Sequence, residues 1–176
     1  VSRAQRVAPG RGLLVRGFAA VAGRRLGTEP PGVFRTLGRH QRVFWPWLAF
    51  AGALLGGGRL TRRETELVIL RVGTLAGSDY ELAQHRHIAR AAGLSAAEVD
   101  RVADGPDAAG WSATEALLLR VTDELHATED LGDDSWAALV DAYDEPRALE
   151  VVLLAGHYRM LATALRVARV PPDRPR

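Results

Sequence analysis

Beyond the pair Pro30 and Pro31, apolar side chains recur at three- and four-residue spacings almost to the C-terminus, and alternating Val/Ile/Thr runs are few. The pattern predicts an all-α fold, with helices over roughly 11–26, 31–40, 46–56, 61–76, 78–92, 95–104, 112–127, 134–143 and 145–169. Four of the starts carry Ser or Thr followed three residues later by Glu: Thr61/Glu64, Ser78/Glu81, Ser95/Glu98 and Ser112/Glu115. In such a capping box the hydroxyl and the carboxylate each satisfy a free backbone N–H. Asp144 followed by Pro146 marks a further start, since proline fits the first turn of a helix. The break at 105–111 (GPDAAGW) is a connector within one domain, too short to separate two.

Residues 67–70 (LVIL) are apolar around most of the helix circumference, so the helix over 61–76 is expected to be buried on several sides. Glu66 shares a face with Ile69, Leu70 and Gly73, which points its carboxylate inward. An offset of 49 residues aligns Thr65-Glu66-x-x-x-Leu70-Arg71-Val72 with Thr114-Glu115-x-x-x-Leu119-Arg120-Val121, five of eight positions matching. A duplication of one helical unit around a shared core accounts for this; coincidence between two Leu/Arg-rich helices also does.

Composition narrows the chemistry. The 176 residues suit a single core, and their 23 basic side chains, all arginine, stand against 21 acidic ones. Without lysine the chain has no Schiff-base amine and no Walker A loop; without cysteine it has no disulfide, thiolate nucleophile or Cys-ligated zinc. No apolar run reaches the ~18–20 residues of a membrane span, and Arg16 interrupts the short apolar stretch of 11–23, so a mature, soluble, cytoplasmic protein is expected. Residues 1–40 carry eight arginines against Glu29 alone, while the rest of the chain is acidic overall. The basic arm is interleaved with Leu, Val and Phe, which favours packing against the acidic remainder over nucleic-acid binding. The expected organisation is an Arg-rich helical extension (1–32), a helical domain (33–170) and a short tail (171–176).

A buried carboxylate needs a cation or hydrogen-bond donors. For Glu66 the candidates lie on the next helix, where Glu81 and His85 are i, i+4 neighbours on the face of Ile88 and Ala92. A helical hairpin brings Glu66, Glu81 and His85 together, and two carboxylates around one imidazole supply an acid and a base near neutral pH without a metal or cofactor. The competing reading makes Glu81 the partner of Ser78 in a cap and Glu66–His85 a satisfied buried pair. Tyr80 and Trp47 are secondary candidates for substrate contact, although the aromatic cluster around Trp45 and Trp47 also suits packing. Arg71 and Arg120 are better explained by salt bridges to Asp123, Glu124 or Glu150, and His126 and His157 by structural roles. No strong metal-ligand motif accompanies the Glu/His set.

Glu66, Ser78, Glu81 and His85 fall on the spacing E-x11-C-x-x-C-x3-H with both cysteines replaced. Together with TRRETELVILRV (61–72) and SDYELAQHRHIARAAGLSAAEV (78–99), the chain resembles the cysteine-free branch of the carboxymuconolactone decarboxylase-like and alkylhydroperoxidase D-like superfamily. The similarity continues through VFRTLGRHQRVFWPW (33–47), DELHATEDLGDDSWAAL (123–139) and VLLAGHYRMLATAL (152–165). It implies a compact alkylhydroperoxidase D-like bundle assembling into trimers or hexamers, with a pocket near the Glu/His motif for a small-molecule substrate. In the redox branch two cysteines carry the reaction; Ser78 and Glu81 remove it here. The expected activity is cofactor-independent acid/base chemistry, such as decarboxylation or isomerisation of a small oxygenated acid or lactone. The alternative is a non-catalytic oligomeric binding protein that retains the scaffold.

Overall fold

A computed structural model of the chain describes residues 4–10 and 12–175. Among the described residues nine α-helices follow in order: α1 (Leu13–Leu26), α2 (Gly32–Leu37), α3 (Gln41–Gly56), α4 (Arg62–Leu75), α5 (Asp79–Ala91), α6 (Ala96–Arg101), α7 (Ala113–Thr128), α8 (Asp133–Tyr143) and α9 (Glu145–Ala168). One 3-10 turn, Val102–Asp104, extends α6. Arg11, the expected first residue of the first helix, lies outside the described residues.

Helix α4 is the axis of the fold. Every residue from Thr65 to Gly73 is buried. Val68, Ile69 and Val72 face a core shared with α7, α8 and α9, while Leu67 and Leu70 face a second cluster with Ala89, Leu94, Val99, Val102 and Leu119. Arg63 binds Glu115 and Arg71 binds Asp123 with the same sequence offset, so α4 and α7 lie side by side and parallel. Arg71 is buried and fully committed: Nε and Nη2 donate to the two Asp123 oxygens, and Nη1 donates to the carbonyls of Val102 and Ala103. Arg71→Met is expected to cost about 2 kcal/mol, since it strands a partly buried carboxylate and two carbonyls; urea unfolding measures it, and an unchanged midpoint would make the bridge ornamental.

The boxes at Thr61/Glu64, Ser95/Glu98 and Ser112/Glu115 form, and Asp144 caps α9 by accepting from the Arg147 N–H. Two local expectations are corrected. Ser78 is the N-cap of α5 but makes no capping hydrogen bond, because the Glu81 side chain is buried inward instead of folding back over the helix end. And α3 begins at Gln41, not near residue 46: Pro46 sits inside it. The surrounding rings explain the tolerance, since Phe44 packs edge-on against Phe18, Phe34 and Trp45 and holds the helix across the missing N–H.

The N-terminal segment joins the same body through apolar contact. Val15 and Ala19 are fully buried, Phe18 packs on Phe34, and the Arg6 N–H donates to the Ala168 carbonyl. A Cβ at Gly38 would stand 2.2 Å from Cγ1 of Val15, so only glycine lets α1 approach the α2–α3 corner. Among the described residues no arginine of the first forty makes an ion pair, so the anticipated attraction between basic arm and acidic remainder is not what docks it. Helix α9 has the length and mean hydropathy of a membrane-crossing helix, yet half of its most apolar stretch is buried in this core.

Candidate active site

The α4–α5 hairpin puts Glu66 beside His85. Glu66 Oε2 and His85 Nδ1 are 2.7 Å apart, and Glu66 Oε1 accepts from Arg62 Nη2 at 3.1 Å, one turn earlier on α4. Glu66 has no solvent exposure, while Arg62 is half-exposed. The carboxylate is thus satisfied on both oxygens by two cationic or neutral donors, which is the requirement for burying it. With Nδ1 turned to Glu66, Nε2 is the ring nitrogen left for other partners.

His85 lines a cavity of about 360 Å3 with Glu81, Arg62, Gln84, Tyr158 and His157; Phe34, Trp47, Leu55, Ile88 and Leu161 supply much of its apolar wall. Glu81 does not join the Glu66–His85 pair. Both of its oxygens are buried without a hydrogen-bond partner, and burial pushes its carboxyl up to about 7, opposed only weakly by nearby Ser78. It is a carboxylic acid that keeps its proton into the neutral range.

Tyr158 stands edge-on to His85, with ring centroids 5.1 Å apart, and to His157 at 5.3 Å. Burial, reinforced by Glu66 and Glu81, holds its hydroxyl well above the ordinary phenol range, so it stays protonated. Trp47 stacks on His157, and neither its Nε1 nor His157 Nδ1 has a hydrogen-bond partner. Burial holds His157 neutral by lowering its pKa.

Tyr80 reaches the cavity wall with its ring, but its hydroxyl is not free to orient a substrate carbonyl. It donates to Asp173 at 2.7 Å and accepts from the Val33 N–H. Asp173 also accepts from Gln84 and from the Gly32 N–H, so the C-terminal segment is strapped over the start of α2. Arg62, Gln84 and Tyr158 are cavity residues that the sequence did not single out, and His157 was expected to be structural. His157 sits four residues from Leu153 and Leu161 and reads as core, and only the packing of α9 against α3 and α5 turns it and Tyr158 to the same cavity as His85.

The sequence model of the carboxymuconolactone decarboxylase family matches residues 41–124, which include Glu66, Glu81 and His85. No curated protein matches the sequence. Among solved structures the fold is shared with an uncharacterized peroxidase-related protein from Silicibacter sp. TM1040 (TM-score 0.85, 14% identity, 97% of this chain and 91% of that one). It is shared also with an alkylhydroperoxidase AhpD core protein from Ralstonia eutropha JMP134 (TM-score 0.85, 17% identity, 98% and 94%). A third is the debrominase Bmp8, as a cysteine-to-alanine variant in complex with 2,3,4-tribromopyrrole (TM-score 0.79, 15% identity, 97% and 93%). At these identities the structures speak for the fold, and the family match covers the helices that carry the Glu/His set. Residues 41–124 are thus similar to the carboxymuconolactone decarboxylase family, the fold is the one seen in the alkylhydroperoxidase D-like structures, and a chain with no cysteine has no thiol-peroxidase chemistry.

Proposed function

We propose that this protein is an enzyme carrying out cofactor-independent acid/base chemistry, a decarboxylation or isomerisation, on a small oxygenated acid or lactone. The observation that supports it most is the Glu66–His85 hydrogen bond of 2.7 Å set in the wall of a cavity of substrate size. Glu66 fixes the ring by accepting from Nδ1–H and stabilises the imidazolium that forms. Nε2 then takes a proton from a carbon next to a carbonyl, the electron pair moving to the carbonyl oxygen as an enolate, and returns it to carbon at another position. In a decarboxylation, carbon dioxide leaves with its bonding pair passing into the same enolate, and a proton on Nε2 quenches the carbon. Glu81, protonated into the neutral range, is the reserve acid once a bound molecule draws its side chain toward the cavity.

The second reading, a binding protein without catalysis, draws on one specific feature: both Glu81 oxygens are sealed from the cavity as they stand, and Arg62–Glu66–His85 is already a satisfied set. Turnover of candidate lactones and β-keto acids by wild type, Glu66→Gln and His85→Ala separates the two. Equal rates in folded variants, or no turnover of any candidate by wild type alongside measurable binding, would leave the binding protein as the better account.

A further inference from the structure

Helix α9 buries one side in the core and leaves the other bare. Its exposed positions on that side are Leu149, Leu153, Gly156, Met160, Thr163 and Val167. The successive spacings alternate four and three residues along the whole helix, which is the heptad seam by which one helix receives another. On a surface helix facing only water these positions are ordinarily polar.

We infer that this stripe is a two-fold contact at which α9 of one copy packs antiparallel on α9 of a second copy of this chain.

Three observations select that occupant. The first is register. Packed antiparallel about the middle of the stripe, Met160 falls opposite Gly156 of the other copy, Leu149 opposite Val167 and Leu153 opposite Thr163, so each layer joins a larger side chain to a smaller one. A Cβ at Gly156 would meet nothing within 4 Å in the chain itself, so the space that Met160 fills is open. A parallel pairing would set glycine against glycine and methionine against methionine, leaving one layer empty and crowding the next.

The second is area. The stripe borders a groove between α3 and α9 whose α3 side presents Val43 and Phe50. These two with Leu149, Leu153, Met160 and Val167 are each 43–56% exposed. Half-exposed side chains of that size present together roughly 500 Å2 of apolar surface. That is near the upper end for a patch on a monomer, and near the apolar share of a standard interface of about 800 Å2 per partner.

The third is closure. A self-complementary stripe makes an isologous contact that ends with two copies and leaves no free apolar edge. A hexamer with two-fold axes contains such a contact, whereas an isolated trimer does not. The contact also bears on the site, because Trp47, His157 and Leu161 line both this groove and the cavity that holds His85. The second copy excludes water from the outer side of that wall. The inference does not depend on any chemistry at His85.

The absence of native cysteine makes the test direct. Leu153→Cys and Thr163→Cys, both at exposed positions, are purified separately, mixed, oxidised mildly and mapped by peptide mass. The expected product is a 153–163 crosslink between chains in the mixture, with little crosslinking of either variant alone. Met160→Arg is expected to halve the mass of the wild-type particle by light scattering at micromolar concentration while leaving the helical circular dichroism unchanged. A monomeric or trimeric wild type, 153–153 crosslinks, or a Met160→Arg particle of unaltered mass would overturn the contact. So would a monomer that floats with anionic phospholipid vesicles through the same stripe, which would assign the face to lipid.

Discussion

His85→Ala is expected to lower turnover by about 10²–10⁴-fold and to unfold the protein more easily by about 3 kcal/mol. The rate loss follows from removing the imidazole whose Nδ1 meets the buried Glu66 carboxylate and whose Nε2 is left for other partners. The stability loss has a separate origin. Glu66 is fully buried, and without the Nδ1 partner one oxygen is left to desolvation, with only the half-exposed Arg62 remaining on the other. Breaking a buried pair by deleting one member is costly, whereas deleting both is close to neutral. The double variant His85→Ala/Glu66→Gln is therefore expected to recover much of the lost stability and none of the lost turnover. For a chain of this length the single variant's deficit amounts to a fall in melting temperature of about 6–12 °C. If the double variant were as unstable as the single one, the loss would come from the cavity left by the imidazole, not from the stranded charge. If turnover survived in the single variant, the proposed proton carrier would be wrong.

Glu81→Gln is expected to raise stability at pH 8 and to raise it far less at pH 5. In the folded chain burial moves this carboxyl from 4.5 to about 7, so the native state holds the proton more tightly than the unfolded chain does. Below pH 4.5 both states are protonated and the site contributes nothing. Between pH 4.5 and about 7 the unfolded chain ionises first, and native stability falls as pH rises; above about 7 the penalty is complete. A shift of this size corresponds to on the order of 3 kcal/mol. Glutamine keeps the shape and cannot ionise, so the difference between variant and wild type isolates this one site from every other titration. Parallel chemical denaturation at pH 5 and pH 8 gives that difference. A gain that is the same at both values would mean that the side chain is already neutral, or already charged, throughout. Should protonated Glu81 also serve as the acid, wild-type turnover declines as pH rises through about 7, and that limb is missing from Glu81→Gln.

The local signals in this chain are reliable where their physics is local. A capping box needs four consecutive residues and backbone donors at a helix end, so Thr61/Glu64, Ser95/Glu98 and Ser112/Glu115 are legible without any tertiary knowledge. The same is true of the apolar circumference of α4 and of the inward turn of Glu66, since a helix fixes the direction of every side chain on it. Ser78/Glu81 carries the same local signature and fails, because its carboxylate is claimed by burial from a helix distant in sequence. The expected start of a helix near residue 46 fails too, since the helix begins at Gln41 and carries Pro46 inside it, amid the packed rings of Phe44 and Trp45.

By itself, then, the sequence determined the helical class, the central buried helix, the pairing of Glu66 with His85 across one short hairpin, and the exclusion of thiol and lysine chemistry. These rest on residue identity or on separations spanned by one or two helices. Only the tertiary structure decided that Glu81 stands apart as a neutral acid, that the Tyr80 hydroxyl is spent on Asp173, and that α9 turns Tyr158 and His157 to the same cavity while leaving a heptad stripe bare. Burial and desolvation depend on what the rest of the chain packs around a group, and helical periodicity says which way a side chain points but not what it will meet.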